Sequence, residues 1–586
     1  MNILNVNKIL QNKSSAKVHY KPMTERRYER ATDVVDFCRI LDKHGDRVAL
    51  SYFDKQRKLH DMTYGQLEDK IKKIAAGITA MGLSGKKIAV IGETSWQWIA
   101  SYVSILASGG VAIPMDKELE VGVILDFLAW VDADAIIYSE KFNDAFNKVK
   151  GKHKSLKYFI PMAALENATE DNYTIAFDKL LEIGETEIEN GYSYPPVKDK
   201  EKLAEMLFTS GTTGSSKSVM LNQKNIFSVV NSAAATVDFT PEDTIVSVLP
   251  IHHTYELACM LAAFLYGMHV CINDSLTHLL KNFKTFKPTG LVLVPLFVYT
   301  MYKRIWSEAK RTGKDKMLKV ALGASKALTV VGIDKRREIM AQVHESFGGN
   351  LKKIVCGGAA LNPKMVEFFE ALGITICEGF GITECSPLVC VNPYHARKYG
   401  SVGPAVPCCQ VRIDGTATND LGFAEGEIQV KGDNVMIGYY DNDKANADVF
   451  TDEGWFRTGD VGYLDADGYL FITGRLKSVI VLENGKNVFP EEIEEYVSGI
   501  ELVSECVVVG RSQSMTDKVV LTAIIYPDYT KFDEKVTDET VKRAINNEIA
   551  SMNKKLPSYK QIKDVEIRKT EFEKTTSRKI KRHLVN

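Results

Sequence analysis

Three common features are missing from this 586-residue sequence, and each absence argues against one kind of site, partner or location. No two of its ten cysteines have a C-x-x-C spacing, which argues against a zinc site or a dithiol redox motif. The charges nearly cancel, with 74 Lys and Arg against 75 Asp and Glu, so no overall positive charge favours nucleic acid as a partner. The longest nearly apolar run, 257–272, is shorter than the roughly 20 residues needed to span a bilayer.

The cysteine pattern and the first residues predict a cytoplasmic protein. Scattered cysteines are typical of a reducing compartment, and the first residues lack the apolar core of a secretory signal peptide. The segment 553–586 is locally basic, with eleven Lys or Arg against four Asp or Glu. This basic tail is suited to a peripheral contact with an anionic membrane or to a phosphorylated ligand, although a solvated surface is the commoner explanation.

Short apolar runs alternate with amphipathic stretches from about residue 50 to 393, and this alternation predicts an α/β fold. Such a pattern favours mostly parallel sheets covered by helices. Strands are predicted at 87–92, 110–114, 135–138, 244–249 and 291–295, and helices at 95–107, 301–310 and 364–372. From about 400 the runs become shorter and are separated by Gly, Asp and Asn, which favours a small antiparallel β-barrel or meander.

After residue 474 the pattern changes again and predicts a compact α+β unit of ordinary domain size. Strands are predicted at 504–509 and 519–526, and a helix at 538–551. We therefore expect two domains. The larger N-terminal domain spans 1–476 and includes a β-barrel-like subdomain at about 400–474, and the smaller C-terminal domain spans 477–586.

The segment 209–217 reads T-S-G-T-T-G-S-S-K and is a candidate phosphate-binding loop. Its small residues leave backbone N–H groups accessible to a polyphosphate, and Lys217 adds a positive charge. It is not a Walker loop, because counting from Gly211 places Ser216 where the second glycine belongs. Taken alone, the segment is equally typical of a solvated turn.

Six further segments follow this loop in the sequence. They are P-I-H-H-T-Y-E (250–256), G-G-A-A-L (357–361), E-G-F-G-I-T-E (378–384), F-R-T-G-D (456–460), G-R-L-K (474–477) with G-K-N-V-F-P-E-E-I-E (485–494), and K-T-T-S-R-K-I-K-R (574–582). From about Thr63 onward the chain thus resembles the adenylate-forming superfamily of acyl-CoA synthetases, luciferases and peptide-synthetase adenylation domains. The stretches 294–305 and 368–374 resemble its long-chain fatty acyl-CoA synthetase branch.

The resemblance implies a two-step reaction. A carboxylate, here that of a long-chain fatty acid, attacks the α-phosphate of ATP and gives acyl-AMP and pyrophosphate. A thiol, usually that of coenzyme A, then displaces AMP and forms a thioester. The expected cofactors are ATP, Mg²⁺ and coenzyme A, and the C-terminal domain is expected to be mobile about a hinge at Lys477.

The resemblance also implies roles for single residues. Lys579 would bridge the attacking carboxylate and the α-phosphate, Thr383 would contact the α-phosphate region, and His253 would lie near the acyl carboxylate. Glu384 would bind Mg²⁺, which prefers oxygen ligands. The residues expected to bind ATP are Thr209, Ser210, Gly211, Thr212, Thr213, Gly214 and Lys217 at the phosphates, Gly357, Gly358, Ala359, Phe380 and Gly381 at the adenine, Asp460 at the ribose, and Arg475 as a second nucleotide contact.

The sequence departs from the family pattern at four positions. Phe380 replaces the usual Tyr but keeps an aromatic face for stacking on adenine. Ser216 and Ser218 stand where Pro and Gly are usual, and Arg578 stands where most relatives carry Gly. Because Lys217 and Lys579 are kept, we expect activity to be retained.

Three alternative functions stay open on the sequence alone. Transfer to an acyl-carrier protein would also suit the basic tail. An amino acid- or aryl acid-adenylating enzyme is the second alternative, and an amino acid substrate would need an acidic side chain for its ammonium near 236–239, where Asp238 lies. We expect no carrier domain, because the sequence ends seven residues after Lys579. A nucleotide-binding protein with a decayed site is the non-enzymatic alternative. The presence of Lys217, Glu384, Asp460 and Lys579 argues against it.

Overall fold

The computed structural model describes residues 28–162, 172–209, 216–482, 487–512, 519–533, 536–554, 556–574 and 580–585. Its strands are β1 (Val48–Phe53), β2 (Leu59–Thr63), β3 (Lys87–Ile91), β4 (Val111–Met115), β5 (Ala135–Tyr138), β6 (Tyr158–Pro161), β7 (Leu203–Thr209), β8 (Lys217–Asn222), β9 (Thr244–Ser247), β10 (His269–Ile272), β11 (Gly290–Leu293), β12 (Lys353–Cys356), β13 (Thr375–Gly381), β14 (Leu388–Val391), β15 (Cys409–Thr418), β16 (Ala424–Gly432), β17 (Gly438–Tyr439), β18 (Phe456–Leu464), β19 (Leu470–Arg475), β20 (Ile480–Val481), β21 (Asn487–Val488), β22 (Val503–Ser512), β23 (Val519–Pro527) and β24 (Asp564–Ile567).

Helices cover the strands on both sides. They are α1 (Val34–His44), α2 (Tyr64–Ala80), α3 (Trp96–Ala107), α4 (Val121–Trp130), α5 (Asn143–Asn147), α6 (Phe177–Glu189), α7 (Gln223–Thr236), α8 (Thr254–Tyr266), α9 (Leu279–Phe286), α10 (Pro295–Arg311), α11 (Asp315–Val330), α12 (Arg336–Ile339), α13 (Ala341–Ser346), α14 (Pro363–Ala371), α15 (Asp443–Val449), α16 (Pro490–Ser498) and α17 (Asp538–Asn553). None of these helices combines the length and the apolar character that crossing a membrane requires.

Two large, mainly parallel sheets form the N-terminal part of the described chain. The first has the strand order β14-β13-β12-β11-β9-β10-β1-β2 and is parallel except at its edge strands β14 and β2. The second has the order β17-β8-β7-β4-β3-β5-β6, with β17 and β8 antiparallel at one edge. The predicted α/β class is confirmed. Ligands of such sheets bind beyond the carboxyl ends of the parallel strands.

Local sequence explains several helix boundaries. Ser95 accepts a hydrogen bond from the backbone of Trp98 and so caps α3, the helix predicted at 95–107. The helix predicted at 301–310 begins earlier, at Pro295, because proline is favoured in the first turn, where its missing N–H is not needed. Asn222 and Asn225 form a reciprocal capping box that begins α7.

The β-rich subdomain is an open antiparallel meander, which is one of its two predicted forms, and it does not close into the predicted barrel. The order β15-β16-β18-β19 is antiparallel throughout, and within the described residues its two edge strands do not pair with each other. Four strands are too few to close around a filled interior. The short strand β17 leaves this region and joins the second large sheet through β8.

The C-terminal part has its own sheet and its own core. Strands β22 and β23 pair antiparallel, and β24 adds in parallel to β23. Apolar side chains of α16 and α17, such as Ile493 and Ile545, pack against this sheet in a separate buried cluster. This agrees with the predicted α+β unit, whereas the division at 476/477 stays a prediction.

Helices α2 and α6 approach each other so closely that one contact point needs a glycine. A Cβ added to Gly184 of α6 would lie 1.8 Å from the carbonyl oxygen of Lys73 in α2. Gly184→Ala must therefore move one helix, and we expect a loss of about 1–3 kcal/mol of stability, as for other overpacked cores. A lower apparent Tm in thermal unfolding checks this.

Gly323→Ala is the matched control for this prediction. Gly323 lies inside the exposed helix α11, and a Cβ there meets nothing within 4 Å. This change should stabilise the helix by about 0.5–1 kcal/mol, because alanine loses less backbone entropy on folding than glycine. Equal Tm values for the two variants would contradict the close contact of α2 and α6.

Candidate active site

The predicted site residues that the structure describes lie mostly where strands of the two large sheets end. Strand β12 leads to Gly357 and Gly358, and β13 ends at Gly381, shortly before Glu384. In the second sheet β7 ends at Thr209, and Lys217 opposite it begins β8. Ser210, Gly211, Thr212, Thr213 and Gly214, together with Lys579, lie outside the described residues, so their roles stay predictions.

Tyr439 connects the lysine of the second sheet to the carboxylate of the first. The ammonium nitrogen of Lys217 lies 4.3 Å from the centre of the Tyr439 ring. The hydroxyl of Tyr439 donates a hydrogen bond of 2.8 Å to Oε1 of Glu384. Burial, followed by the charge of Glu384, raises the pKa of the Tyr439 phenol far above its usual range. The phenol therefore stays a hydrogen-bond donor at neutral pH.

The position of Tyr439 follows from the capping of α7. The side-chain amide of Asn225 donates to the carbonyl oxygens of Asp433 and Val435, at 2.8 and 2.9 Å. These bonds fix the segment before β17, and Tyr439 then pairs with Val219 of β8. Sequence analysis missed Tyr439, because a two-residue strand has no periodicity and the residue lies outside every motif.

Glu384 is suited to share a divalent cation with a bound phosphate. Within the described ranges no group of three His, Cys, Asp or Glu side chains forms a metal cluster. A cation here would depend on Glu384 together with ligand and water oxygens, a donor set that Mg²⁺ commonly accepts. Thr383 is the first residue of the short turn Thr383–Cys385 and directly precedes Glu384 in the chain.

Asp460 and Arg475 form an ion pair at the edge of the β-rich sheet. They are direct partners across β18 and β19, and Nε of Arg475 lies 2.7 Å from Oδ1 of Asp460. The Asp460 side chain is buried, whereas that of Arg475 is about half exposed. The pair holds the carboxylate in place, and its predicted contacts with a nucleotide stay predictions. Lys477, the predicted hinge, lies two residues further in the turn Leu476–Ser478.

The glycine turn after β12 allows a close backbone approach. A Cβ at Gly357 would lie 3.3 Å from the carbonyl oxygen of Gly379 and 3.4 Å from the Tyr255 ring. Gly358 has φ +85°, a conformation that favours glycine. Ala359, the next residue, is exposed. Phe380, which is buried, lies in β13 next to this turn. Its predicted stacking on adenine stays a prediction.

An apolar cavity of about 110 Å³ opens beside this glycine turn. It lies between the first sheet and helices α7 and α8, and no charged side chain of the described chain lines it. Tyr255, Ala258, Ala262 and Tyr266 follow one another at three- or four-residue spacing, so they lie along one face of α8. The cavity therefore runs along the helix, away from Gly357 and Phe380.

Two adjacent histidines lie between the sheets. The rings of His252 and His253 are 4.3 Å apart, and His253 is the N-cap residue directly before α8. Nε2 of His252 lies 3.7 Å from Oδ2 of Asp116, which follows β4 of the second sheet. Burial, and then the neighbouring His253, lowers the pKa of His252 to about 3, so this ring is neutral at physiological pH.

The C-terminal unit contacts the first sheet through α10. Lys303 lies 3.7 Å from Asp528, and Lys310 lies 3.2 Å from Glu501. The charge of Glu495 in α16 also acts on Glu378 of β13, and the charge of Glu492 acts on Glu495. Burial raises the pKa of Glu378 well above its usual range and that of Glu495 to about 7. This contact therefore favours protonated carboxyl groups.

The comparisons with known proteins identify the family. Residues 37–440 match the family model of the AMP-binding enzymes, and residues 477–586 match that of the AMP-binding enzyme C-terminal domain. Because the first match covers more than half of the chain, this protein belongs to the AMP-binding enzyme family. The predicted membership in the adenylate-forming superfamily is confirmed.

Curated relatives align over most of their length. The long-chain-fatty-acid–CoA ligase FadD15 of Mycobacterium bovis is 29% identical in an alignment of length 479 that covers 77% of this chain and 75% of that protein. The chloroplastic long-chain-fatty-acid–[acyl-carrier-protein] ligase AEE15 of Arabidopsis thaliana is 28% identical, with 87% of this chain and 78% of that protein covered. The adenylation domain of a carboxylate reductase from Mycobacterium chelonae has the same fold, with a TM-score of 0.77 at 20% identity over 98% of this chain and 94% of that one.

The bridge through Tyr439 gives a direct prediction. Tyr439→Phe keeps a ring beside Lys217 but removes the hydrogen bond to the Glu384 carboxylate. A hydrogen bond to a charged group contributes about 1.5–3 kcal/mol. We therefore expect kcat/KM for ATP-dependent pyrophosphate release to fall about 10- to 100-fold and the Mg²⁺ concentration needed for half-maximal rate to rise.

Tyr440→Phe is the matched control, because the Tyr440 ring contacts Trp130 on the other side of β17. This variant should keep the wild-type rate and the wild-type Mg²⁺ titration. If the two variants behaved alike, Tyr439 would have no part in positioning Glu384.

Proposed function

We propose that this protein activates long-chain fatty acids with ATP to acyl-AMP and transfers the acyl group to coenzyme A. The observation that carries the proposal is the apolar cavity, which is lined at one end by Gly357 and by Gly381, three residues before Glu384. A fatty acid fits this arrangement, since its chain would enter the cavity and its carboxylate would stay at the glycine turn.

In the first step the substrate carboxylate forms a bond to the α-phosphorus of ATP, and the bond from that phosphorus to the β-phosphate oxygen breaks. Pyrophosphate leaves with the electron pair. Lys217 and the preceding loop would stabilise the departing charge, and Lys579 would stabilise the charge on the α-phosphate. Bound Mg²⁺, held by Glu384, would supply charge neutralisation of the phosphates.

In the second step the thiol sulfur attacks the acyl carbonyl carbon, the thiol proton is lost, and AMP leaves with the bonding electrons. The first step requires Lys579 beside the substrate carboxyl group, whereas the second requires the thiol there. Rotation of the C-terminal domain about Lys477 would remove Lys579 after the first step and open a path for the thiol.

The main alternative acceptor is an acyl-carrier protein. The similarity to the chloroplastic ligase, which is named for that acceptor, supports this second candidate. The amino acid alternative has less support, because Asp238 does not line the cavity and pairs with His395 at 3.1 Å. A cytoplasmic location, with a peripheral membrane contact of the basic tail, stays a prediction.

Two substitutions that fill the cavity at different depths should each set a different maximum length of the acyl chain. Ala258 and Ala262 lie about 5 and 10 Å beyond Tyr255 along α8, at 1.5 Å per residue. Each methylene that no longer fits costs about 0.8 kcal/mol, or about fourfold in kcat/KM. We expect Ala258→Phe to prefer the shortest acids, Ala262→Phe intermediate ones and the wild type the longest. Pyrophosphate release across a series of saturated fatty acids measures this order.

Ala550→Phe on the exposed face of α17 is the control and should leave the chain-length profile unchanged. Equal loss of rate with every acid in both cavity variants would mean that the cavity does not hold the acyl chain. Running the wild type with coenzyme A and with carrier protein decides between the two acceptors.

Lys579→Ala should separate the half-reactions. Loss of one group that stabilises transition-state charge costs about 3–4 kcal/mol. We therefore expect pyrophosphate release from ATP and fatty acid to fall about 100- to 1000-fold, whereas thioester formation from supplied acyl-AMP keeps its rate. Lys581→Ala, which removes a neighbouring positive charge, is the control. Equal losses in both half-reactions would contradict the proposed movement of the C-terminal domain.

A further inference from the structure

Helix α11 is attached to the rest of the protein by a narrow face. Of its sixteen residues, only Leu318 and Ser325 are buried. Ser325 donates a hydrogen bond of 2.6 Å to the carbonyl oxygen of Ala371, which fixes the helix against α14. The opposite side of α11 faces solvent along its whole length.

The solvent face of α11 has an apolar stripe. Met317, Val320, Ala324, Ala327 and Val331 follow one another at spacings of three and four residues, so they share one side of the helix. The side chains of Met317, Val320 and Val331 are 57%, 73% and 69% exposed. Single exposed apolar residues are ordinary, but a continuous row of them indicates a contact surface.

The last residue of α11 and the turn after it extend the stripe. Val330 and Ile333 are also exposed large apolar residues, and Gly332 between them adopts a positive φ. The apolar surface thus continues around the end of the helix. This apolar surface is larger than a contact between two single side chains would need.

Positive charge flanks the stripe. Between residues 312 and 333 there are four lysines, Lys314, Lys316, Lys319 and Lys326, and a single acidic residue, Asp315. Lys326 lies 3.7 Å from Glu367, whereas Lys316 and Lys319 make no ion pair with any residue in the described ranges. The local net charge is therefore +3, in contrast to a total of −1 for the whole chain.

We propose that α11 and the turn up to Ile333 form a docking surface for a membrane that carries anionic lipid headgroups. An apolar stripe flanked by lysines is the pattern of a helix that lies in the membrane interface, with its apolar side among the acyl chains and its lysines at the headgroups. A second copy of this chain is a poorer partner, because two faces of the same positive charge would repel each other.

This surface is separate from the basic tail and from the candidate active site. None of its residues lines the apolar cavity. The inference does not depend on the proposed function, so membrane binding and fatty acid activation can fail independently. The two would act together, because a long-chain fatty acid partitions into the bilayer on which this surface would hold the protein.

Vesicle co-sedimentation of the full-length protein tests the proposal. The probes are vesicles of phosphatidylcholine alone and of phosphatidylcholine mixed with phosphatidylglycerol. We expect the wild type to bind the mixed vesicles more tightly. The double variant V320D/V331D should lose binding to both kinds at least tenfold. The affinity of the variant K316Q/K319Q for the mixed vesicles should fall about 30-fold, and its affinity for phosphatidylcholine vesicles should not change. Each lysine contributes a factor of about five to the affinity for an anionic surface.

The matched control is L59D/L276D, because both leucines are exposed aliphatic residues outside this surface, at 42% and 50%. It should bind vesicles as the wild type does, and all variants should keep the wild-type thermal unfolding curve. Wild-type protein that fails to bind mixed vesicles would overturn the proposal. So would a solution dimer that V320D/V331D converts to a monomer, because the stripe would then be an interface between two copies.

Discussion

The contact of Tyr439 with Lys217 and Glu384 is the interaction on which the candidate active site depends. Lys217 belongs to the second sheet and Glu384 follows a strand of the first, so the two residues come together only if both sheets are correctly placed. A direct ion pair between them would neutralise both charges. With the phenol between them, the lysine stays available for an anion and the carboxylate for a cation, which is the combination that a nucleotide–metal complex requires.

Much of the fold could be predicted from the sequence. Buried strands such as β3 and β5 are short apolar runs, and α3 begins at a serine cap, so local pattern alone determines them. For the β-rich sheet a barrel and an open meander stayed alternatives, because strand number and closure depend on pairing between distant segments. The place of Tyr439 was missed for a similar reason, since it results from the hydrogen bonds of Asn225 to a segment about two hundred residues away.

The candidate site was predictable in its motifs but not in its substrate pocket. Gly357 was recognised as part of the G-G-A-A-L segment, and the structure adds that a side chain there would meet Gly379 and Tyr255. The cavity beyond them is lined by small and apolar residues of α7 and α8, which have the same pattern as any buried helix face. Only the three-dimensional packing distinguishes a face that fills a core from one that leaves room for a ligand.

The charge of Glu495 in α16 acts on Tyr299 of α10 and on Glu378 of β13, so docking of the C-terminal unit would be linked to the protonation of Glu495. Burial raises the pKa of Glu495 to about 7, so this carboxyl holds its proton more tightly than an exposed glutamate does. A departure of the C-terminal unit that exposes Glu495 would therefore release a proton to solvent, and its return would take one up again. The balance between docked and undocked states would then shift toward the undocked state as the surrounding medium becomes more alkaline, even when no ligand is bound.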